Sequence, residues 1–259
     1  MAQPATRHSS SERAHVPAPW PPPADRPPFS AVVETRVGIV QYLPDDAHIG
    51  ESIRWYGEYL QPHIDLLRRL IRPGATVVEA GAGIGIHSLG LANAVGEAGH
   101  LVLYESRPLH QRVLRQNVAA NDMRNITVMR HVLALPALAA TGVSSMIENI
   151  YDIGLERLDL LKINGSVDAM AVIAGAKESL WRLRPILFVS EVREDAVSSL
   201  RARAQDVGYR CWKAETSLFN PGNFNRRDED VFQGKKIMAV LAVPEEVESS
   251  VARGWGKEI

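Results

Sequence analysis

Cysteine occurs once, at Cys211, in a chain of 259 residues. A lone thiol excludes an intrachain disulfide and any CxxC metal or redox pair, so a reducing, cytoplasmic location is expected. An excess of one charge is missing too: 29 Lys and Arg stand against 30 Asp and Glu, a net −1. That balance gives no general attraction to a phosphate backbone or an acidic lipid surface, and no nucleic-acid partner is expected. The longest charge-free apolar stretch, Val132 to Ile147, is interrupted by Pro136. It falls short of the roughly 20 residues a bilayer span requires, so no membrane insertion is expected. The first residues carry Arg7 but no apolar core, and no secretory leader is expected. The eight histidines form no HxH or HExxH grouping, which leaves no metal site to propose. Composition says nothing of oligomeric state.

What is present is an ordinary globular balance, 46% hydrophobic and 23% charged, enough to bury a core. Eight of the sixteen prolines fall in residues 1–30. Prolines lack backbone donors and favour polyproline II, so this segment is expected to be a disordered tail. Residues 31–73 are expected as a hairpin and helical lid, 74–246 as the main domain and 247–259 as a C-terminal tail. In the lid, Val32 to Tyr42 alternates like a hairpin, and short helices are expected over Ser52–Leu60 and Ile64–Ile71. Strands then alternate with helices. Strands are expected at Thr76–Ala80, His100–Glu105, Ile126–Met129, Leu158–Ile163 and Ile186–Val192, and two late ones at Tyr209–Thr216 and Ile237–Val243. Helices are expected at Gly85–Ala94, Pro108–Asn121 and Ala169–Leu183, with another running to Val207. Short, wholly apolar strands alternating with helices indicate an α/β fold with a mostly parallel sheet covered on both faces. The late pair, joined without a helix, suggests an antiparallel strand at the sheet's end.

The chemistry concentrates where the first of these strands meets its helix, in Val78-Glu79-Ala80-Gly81-Ala82-Gly83-Ile84-Gly85. Glycines there let a ligand approach the backbone, and a helix N-terminus offers unpaired amides. A dinucleotide site wants GxGxxG, but the sixth position counted from Gly81 is Ile86. A carboxylate at Glu79 repels a pyrophosphate yet can accept a hydrogen bond from a ligand ammonium group. Glu105, with Ser106 beside it, ends the second strand of the alternating series, where a carboxylate can take two ribose hydroxyls, a feature shared with NAD enzymes. Together these point to S-adenosylmethionine held by Glu79, Gly81, Ala82, Gly83, Gly85, Glu105 and Ser106. His87 follows the loop as a further contact. The adenine is expected against His131 to Ala134, with Val132 in the sandwich, and Glu58 is expected to reach the cofactor from the lid.

Beyond the loop, Asp46 to Ser52, Tyr56-Gly57-Glu58-Tyr59, Tyr104 to Pro108, Arg115 to Asn121, Leu158 to Ile163 and Phe219 to Phe224 together resemble the FkbM family of methyltransferases. That resemblance, running from about Val37 to Pro244, implies a Rossmann-like class I methyltransferase fold with a seven-stranded sheet. It implies O-methylation of a sugar, glycolipid or secondary-metabolite hydroxyl. At one place the chain departs from it. Where members carry Asp-Val-Glu-Gly-Ala-Glu, this chain has Asn164-Gly165-Ser166-Val167-Asp168-Ala169, so a catalytically weak or non-catalytic binder of the cofactor is the main alternative. A nicotinamide oxidoreductase comes third.

Methyl transfer to a hydroxyl benefits from a base, and Glu191 at the end of its strand is the first candidate; a solvated carboxylate paired with Arg193 is its bland counterpart. Lys162 either orients substrate or forms a structural ion pair, and Asn164 can hydrogen-bond but not act as a base. The polar loop with Asn223, Asn225, Arg226 and Arg227 either recognises the acceptor or is simply solvated.

Overall fold

A computed structural model describes residues 29–129, 132–133, 147–148 and 153–259. The expected proline-rich tail therefore lies outside the described residues, apart from Phe29 and Ser30. The chain opens with a hairpin, β1 (Ala31–Thr35) and β2 (Gly38–Tyr42), followed by α1 (Ala47–Tyr56) and α2 (Gln61–Leu70). Next come β3 (Thr76–Ala80), α3 (Ile86–Val95), β4 (His100–Tyr104), α4 (Pro108–Ala120) and β5 (Ile126–Met129). Two-residue strands β6 (Val132–Leu133) and β7 (Ile147–Glu148) pair with each other. After them run β8 (Leu160–Ile163), α5 (Ala169–Gly175), α6 (Lys177–Leu183), β9 (Ile186–Ser190) and α7 (Glu194–Gln205). The chain closes with β10 (Tyr209–Ser217), β11 (Lys236–Pro244), α8 (Ser250–Trp255) and β12 (Lys257–Glu258).

Among the described residues eight strands form the main sheet, in the order β12-β10-β11-β9-β8-β3-β4-β5. The five from β9 to β5 are parallel, and β11 joins β9 antiparallel. β3, β4, β8 and β9 are buried on both faces because helices cover both, which is why their sequences are apolar without alternation. Val172, Leu180, Val197 and Leu200 pack one face; Leu67, Leu91, Val95 and Leu114 pack the other.

Three details differ from expectation. The first helix starts earlier and stops at Gly57, whose left-handed φ of 65° ends α1 in a way a side chain resists. The expected single helix over 169–183 is two, α5 and α6, divided at Ala176 immediately after Gly175. Residues 247–259, expected as a tail, instead carry α8 and the eighth strand: Ala252 is fully buried, and Trp212 pairs with Glu258.

The hairpin is fastened by Asn117 of α4 and by Asn121, which caps that helix. Asn117 receives the Gln41 N–H at 2.7 Å, returns a bond to the Gln41 carbonyl at 2.9 Å and donates to the Ile84 carbonyl at 2.8 Å. Asn121 makes the same reciprocal pair with Ile39. The N-terminal segment is thereby tied to the start of α3, next to the glycine loop.

Candidate active site

From β3 the chain runs on to β4 and β5 on one side, and after the long excursion to β8 and β9 on the other. Between β3 and β8 the sheet reverses its direction of build, and open α/β sheets bind ligands outside the carboxyl ends of strands at such a point. A cleft of about 180 Å³, open to solvent, lies there. Its walls include Glu79, Gly81 to Ile84, Arg107, Asn164 to Ser166 and Glu191, and the N-terminal segment adds Asp46, His48 and Tyr59.

Glu79 sits at the base, fully buried. Its partner across the sheet is Lys162, at the same level of β8. The ammonium donates to Glu79 Oε1 at 2.9 Å, and both side chains are wholly shielded from water. Ser88 Oγ donates to Oε2 at 2.7 Å, and Asn164 Nδ2 donates to Oε1 at 2.8 Å. The lysine also donates to Asn164 Oδ1. Two sequence expectations meet this geometry. Of the two readings of Lys162, the structural ion pair is the one formed, and Lys162 is not among the residues lining the cleft. Glu79 has three internal donors, two on Oε1 and one on Oε2, which leaves one acceptor site on Oε2.

Asn164 gains a physical reason as well. Its amide donates to Glu79 and, at 2.9 Å, to the Gly81 carbonyl. An aspartate can make neither bond. With asparagine the cluster holds one buried anion and one buried cation, and the glycine loop is tied to β8. Asp168 stands outside the cleft: it caps α5, accepting from the N–H groups of Met170 and Ala171.

Within the loop, Gly83 has a φ of 60° and an open side: a Cβ there would meet nothing nearer than Arg107 Nη2 at 3.8 Å. Glu105, 1% exposed, accepts from the Gly83 N–H at 2.7 Å. Arg107 clasps it from the solvent side, with its backbone N–H at 2.8 Å, Nε at 3.0 Å and Nη2 at 3.1 Å. Ser106 beside it is exposed and outside the cleft wall. The Val132 side chain and residues His131 and Ala134, expected against the adenine, lie outside the described residues.

Glu58 is a correction. Buried at 4% exposure, it accepts from Arg36 at 2.6 Å, Asn220 at 2.6 Å and the Phe224 N–H at 3.0 Å. The left-handed turn at Gly57 aims it at the 218–235 loop and leaves Tyr59 to reach the cleft. The same loop uses Asn223 and Asn225 internally, on the carbonyls of Asn220, Arg227 and Trp55.

His87 lines the cleft with its ring stacked on Tyr59, centroids 5.6 Å apart, and its Nε2 bonds the Tyr59 carbonyl at 2.9 Å. Nearby His63 bonds Thr216. Burial first, and then neighbouring positive charge, holds both imidazoles well below their ordinary pKa. They stay neutral in the fold but take up protons when unfolded, so the stability they confer is present above about pH 6.5 and is lost as pH falls below it. Each can remove up to about 1.4 kcal/mol per pH unit in that range. The urea midpoint is therefore expected to drop between pH 7.5 and 5.5, and His63→Gln to lose roughly half of that slope. An unchanged midpoint would show that both rings take up protons in the fold as readily as in the unfolded chain.

Glu191 follows β9 with a left-handed φ of 60°, exposed on the cleft wall, and accepts from the Tyr59 hydroxyl at 3.1 Å. Arg193, its expected partner in the solvated alternative, pairs with Asp195 instead. Asp46, His48, Tyr59, Arg107 and Ser166 line the cleft but were not singled out as site residues from sequence. The signal for the first three lies in the N-terminal Asp46–His48 and Tyr56–Tyr59 segments, where nothing local distinguishes Tyr59 from Glu58.

No protein-family model matches the chain. Over 53 residues it is 45% identical to a tRNA (adenine(57)-N(1)/adenine(58)-N(1))-methyltransferase of Methanocaldococcus jannaschii, a stretch covering 20% of this chain and 19% of that relative. Among solved structures it resembles a precorrin-6y C5,15-methyltransferase from Geobacter metallireducens: TM-score 0.52 and 17% identity, over 71% of this chain and 87% of the other. An S-adenosylmethionine-dependent O-methyltransferase from Thermotoga maritima gives TM-score 0.49 and 15% identity, over 85% and 79%. The chain has the Rossmann-like methyltransferase fold.

The matched stretch spans about a fifth of its curated relative, whose name places it on tRNA. The expected exclusion of nucleic acid thereby loses its support, since net charge describes a whole chain and not one surface. Among the described residues no helix is long and apolar enough to cross a membrane.

Proposed function

We propose that the chain is an S-adenosylmethionine-dependent methyltransferase of FkbM-like type, acting on a hydroxyl of a small-molecule or glycan acceptor. One observation carries this: Gly83 lines the switch-point cleft with its N–H held by Glu105 just behind the wall, and Glu191, after β9, lines the same cleft. The open side of Gly83 is a cradle that any side chain would fill, which fits close approach of a ligand to the backbone. Glu105 ends the strand next to β3, where nucleoside sites keep their ribose carboxylate. Arg107 already holds it, so the ribose shares Glu105 with that guanidinium or displaces it. Gly81 to Ile84 and, behind them, Glu105 would hold the cofactor, with His87 packed beneath; Ser106, expected beside Glu105, faces solvent. When bound, S-adenosylmethionine supplies a methyl group on a positively charged sulfonium.

The chain's own residues then have three tasks. Ile49, Ile84 and Ile86 line the cleft and exclude water. Residues 31–73, through Asp46, His48 and Tyr59, complete the cavity over the 74–246 unit and fix the acceptor's position, which in favourable cases is worth about 7–11 kcal/mol of barrier. The Glu191 carboxylate takes the hydroxyl proton. Asp46 and Glu191 together make the acceptor side acidic, which supports a neutral hydroxyl over a phosphate beside the reacting oxygen.

Calorimetry with S-adenosylhomocysteine and NAD tests the cofactor. S-adenosylhomocysteine is expected to bind and NAD to fail, and Glu105→Ala to weaken binding about tenfold or more, the worth of a charged hydrogen bond. Binding of NAD alone would overturn the proposal. Turnover is then sought with a panel of sugars, hydroxylated metabolites and a tRNA transcript.

A further inference from the structure

We propose that Tyr59 is a positioning residue which, with the absent side chain at Gly165, sets the Glu191 carboxylate as the acceptor-side base of the cleft. Tyr59's role so defined rests on the methyltransferase proposal above and adds to it the device that aims the base.

Three features converge on one carboxylate. Glu191 adopts a left-handed backbone, φ 60°, which costs a non-glycine residue and persists where the surroundings fix it. Gly165, at the end of β8, gives it room: a Cβ there would lie 2.5 Å from Glu191 Cβ and 3.0 Å from its Oε2. No larger residue at 165 tolerates the present Glu191 position. The Tyr59 hydroxyl, from the N-terminal segment, then holds Oε1 at 3.1 Å.

Tyr59 is itself fixed from behind. Its ring stacks on His87, and its carbonyl bonds the His87 Nε2. His87 belongs to α3, the helix that the glycine loop begins. The chain of contacts runs from cofactor loop to α3, to Tyr59, to Glu191, so the element that would hold the cofactor also sets where the base lies. Burial, and then Glu191 itself, keep the Tyr59 phenol protonated well above its ordinary range, so it acts as a donor and Glu191 as the acceptor.

Other polar groups share the cleft with Glu191 from the neighbouring elements: His48 of α1, with Lys235 bonded to it, and Arg107 after β4. Asp46 lines the same cleft from the N-terminal segment. None of these is shown hydrogen-bonded to the Glu191 carboxylate, so removing the Tyr59 hydroxyl alters one contact and leaves the remaining charges in place.

Carbon-13 NMR of the full chain, with the Glu191 carboxyl signal assigned by its loss in Glu191→Gln, reads the device directly. Tyr59→Phe is expected to raise the Glu191 titration midpoint by roughly half to one pH unit, because the carboxylate loses a donor. On a Gly165→Ala background, where Glu191 is displaced, Tyr59→Phe is expected to have no further effect. Affinity for S-adenosylhomocysteine should stay within about threefold in Tyr59→Phe, since the ring and its carbonyl remain. An identical Glu191 titration in wild type and Tyr59→Phe overturns the positioning role, whatever the cofactor. Failure of the wild type to bind S-adenosylhomocysteine, with the titration shift intact, overturns the methyltransferase proposal and with it the name of base.

Discussion

Lys162→Met is expected to destabilise the chain by about 3–5 kcal/mol, the cost of leaving one member of a buried ion pair uncompensated. The ammonium is the only cation shown bonded to the Glu79 carboxylate, at 2.9 Å, and neither side chain touches water. Methionine fills similar volume, so little of the loss is a cavity term. Ser88 and Asn164 still donate to Glu79, but two neutral donors do not replace a charge. Removing both charges in Lys162→Met with Glu79→Gln is expected to recover most of the stability, because a neutral pair of similar size has no ion to desolvate. Urea denaturation of the two variants decides this. Equal losses would mean that the lysine contributes packing and not charge compensation.

Glu191→Gln carries the second large effect. A general base contributes about 10²–10⁴-fold, and the amide keeps the shape and the Tyr59 contact while losing the ability to take a proton. Turnover with the acceptor found in the panel is expected to fall by that factor while S-adenosylhomocysteine affinity is unchanged. Glu191→Gly separates strain from chemistry. Glycine adopts φ 60° freely, so this variant is expected to be more stable by about 1 kcal/mol yet equally impaired. Full turnover in Glu191→Gln would move proton removal to solvent or to another group.

The glycine loop shows how far local pattern reaches. Gly81, Gly83 and Gly85 all take positive φ, and Glu79 and Glu105 both sit beside them, as alternation of strand and helix places them. What pattern cannot give is who faces whom. Glu79 was expected to accept from a ligand ammonium, and strand register adds what no local pattern shows, Lys162 directly opposite it. Register is a property of two strands about 80 residues apart, and no local window contains both. Glu58 and Tyr59 differ in fate because of one left-handed turn at Gly57, which rotates successive side chains to opposite sides. Arg107 was not singled out because an arginine two residues after a strand carries no signal until its guanidinium is found on Glu105.

The sequence by itself determined the class of fold, the strand ends at which the cleft opens and the carboxylates near it. These depend on hydrophobic period and turn chemistry, which act over a few residues. Only the tertiary structure decided which of those carboxylates are already spent on internal partners, that Asn164 ties the loop to β8, and that Tyr59 and Gly165 converge on Glu191. Those facts rest on contacts between segments tens to more than a hundred residues apart, and only packing of the sheet brings them together.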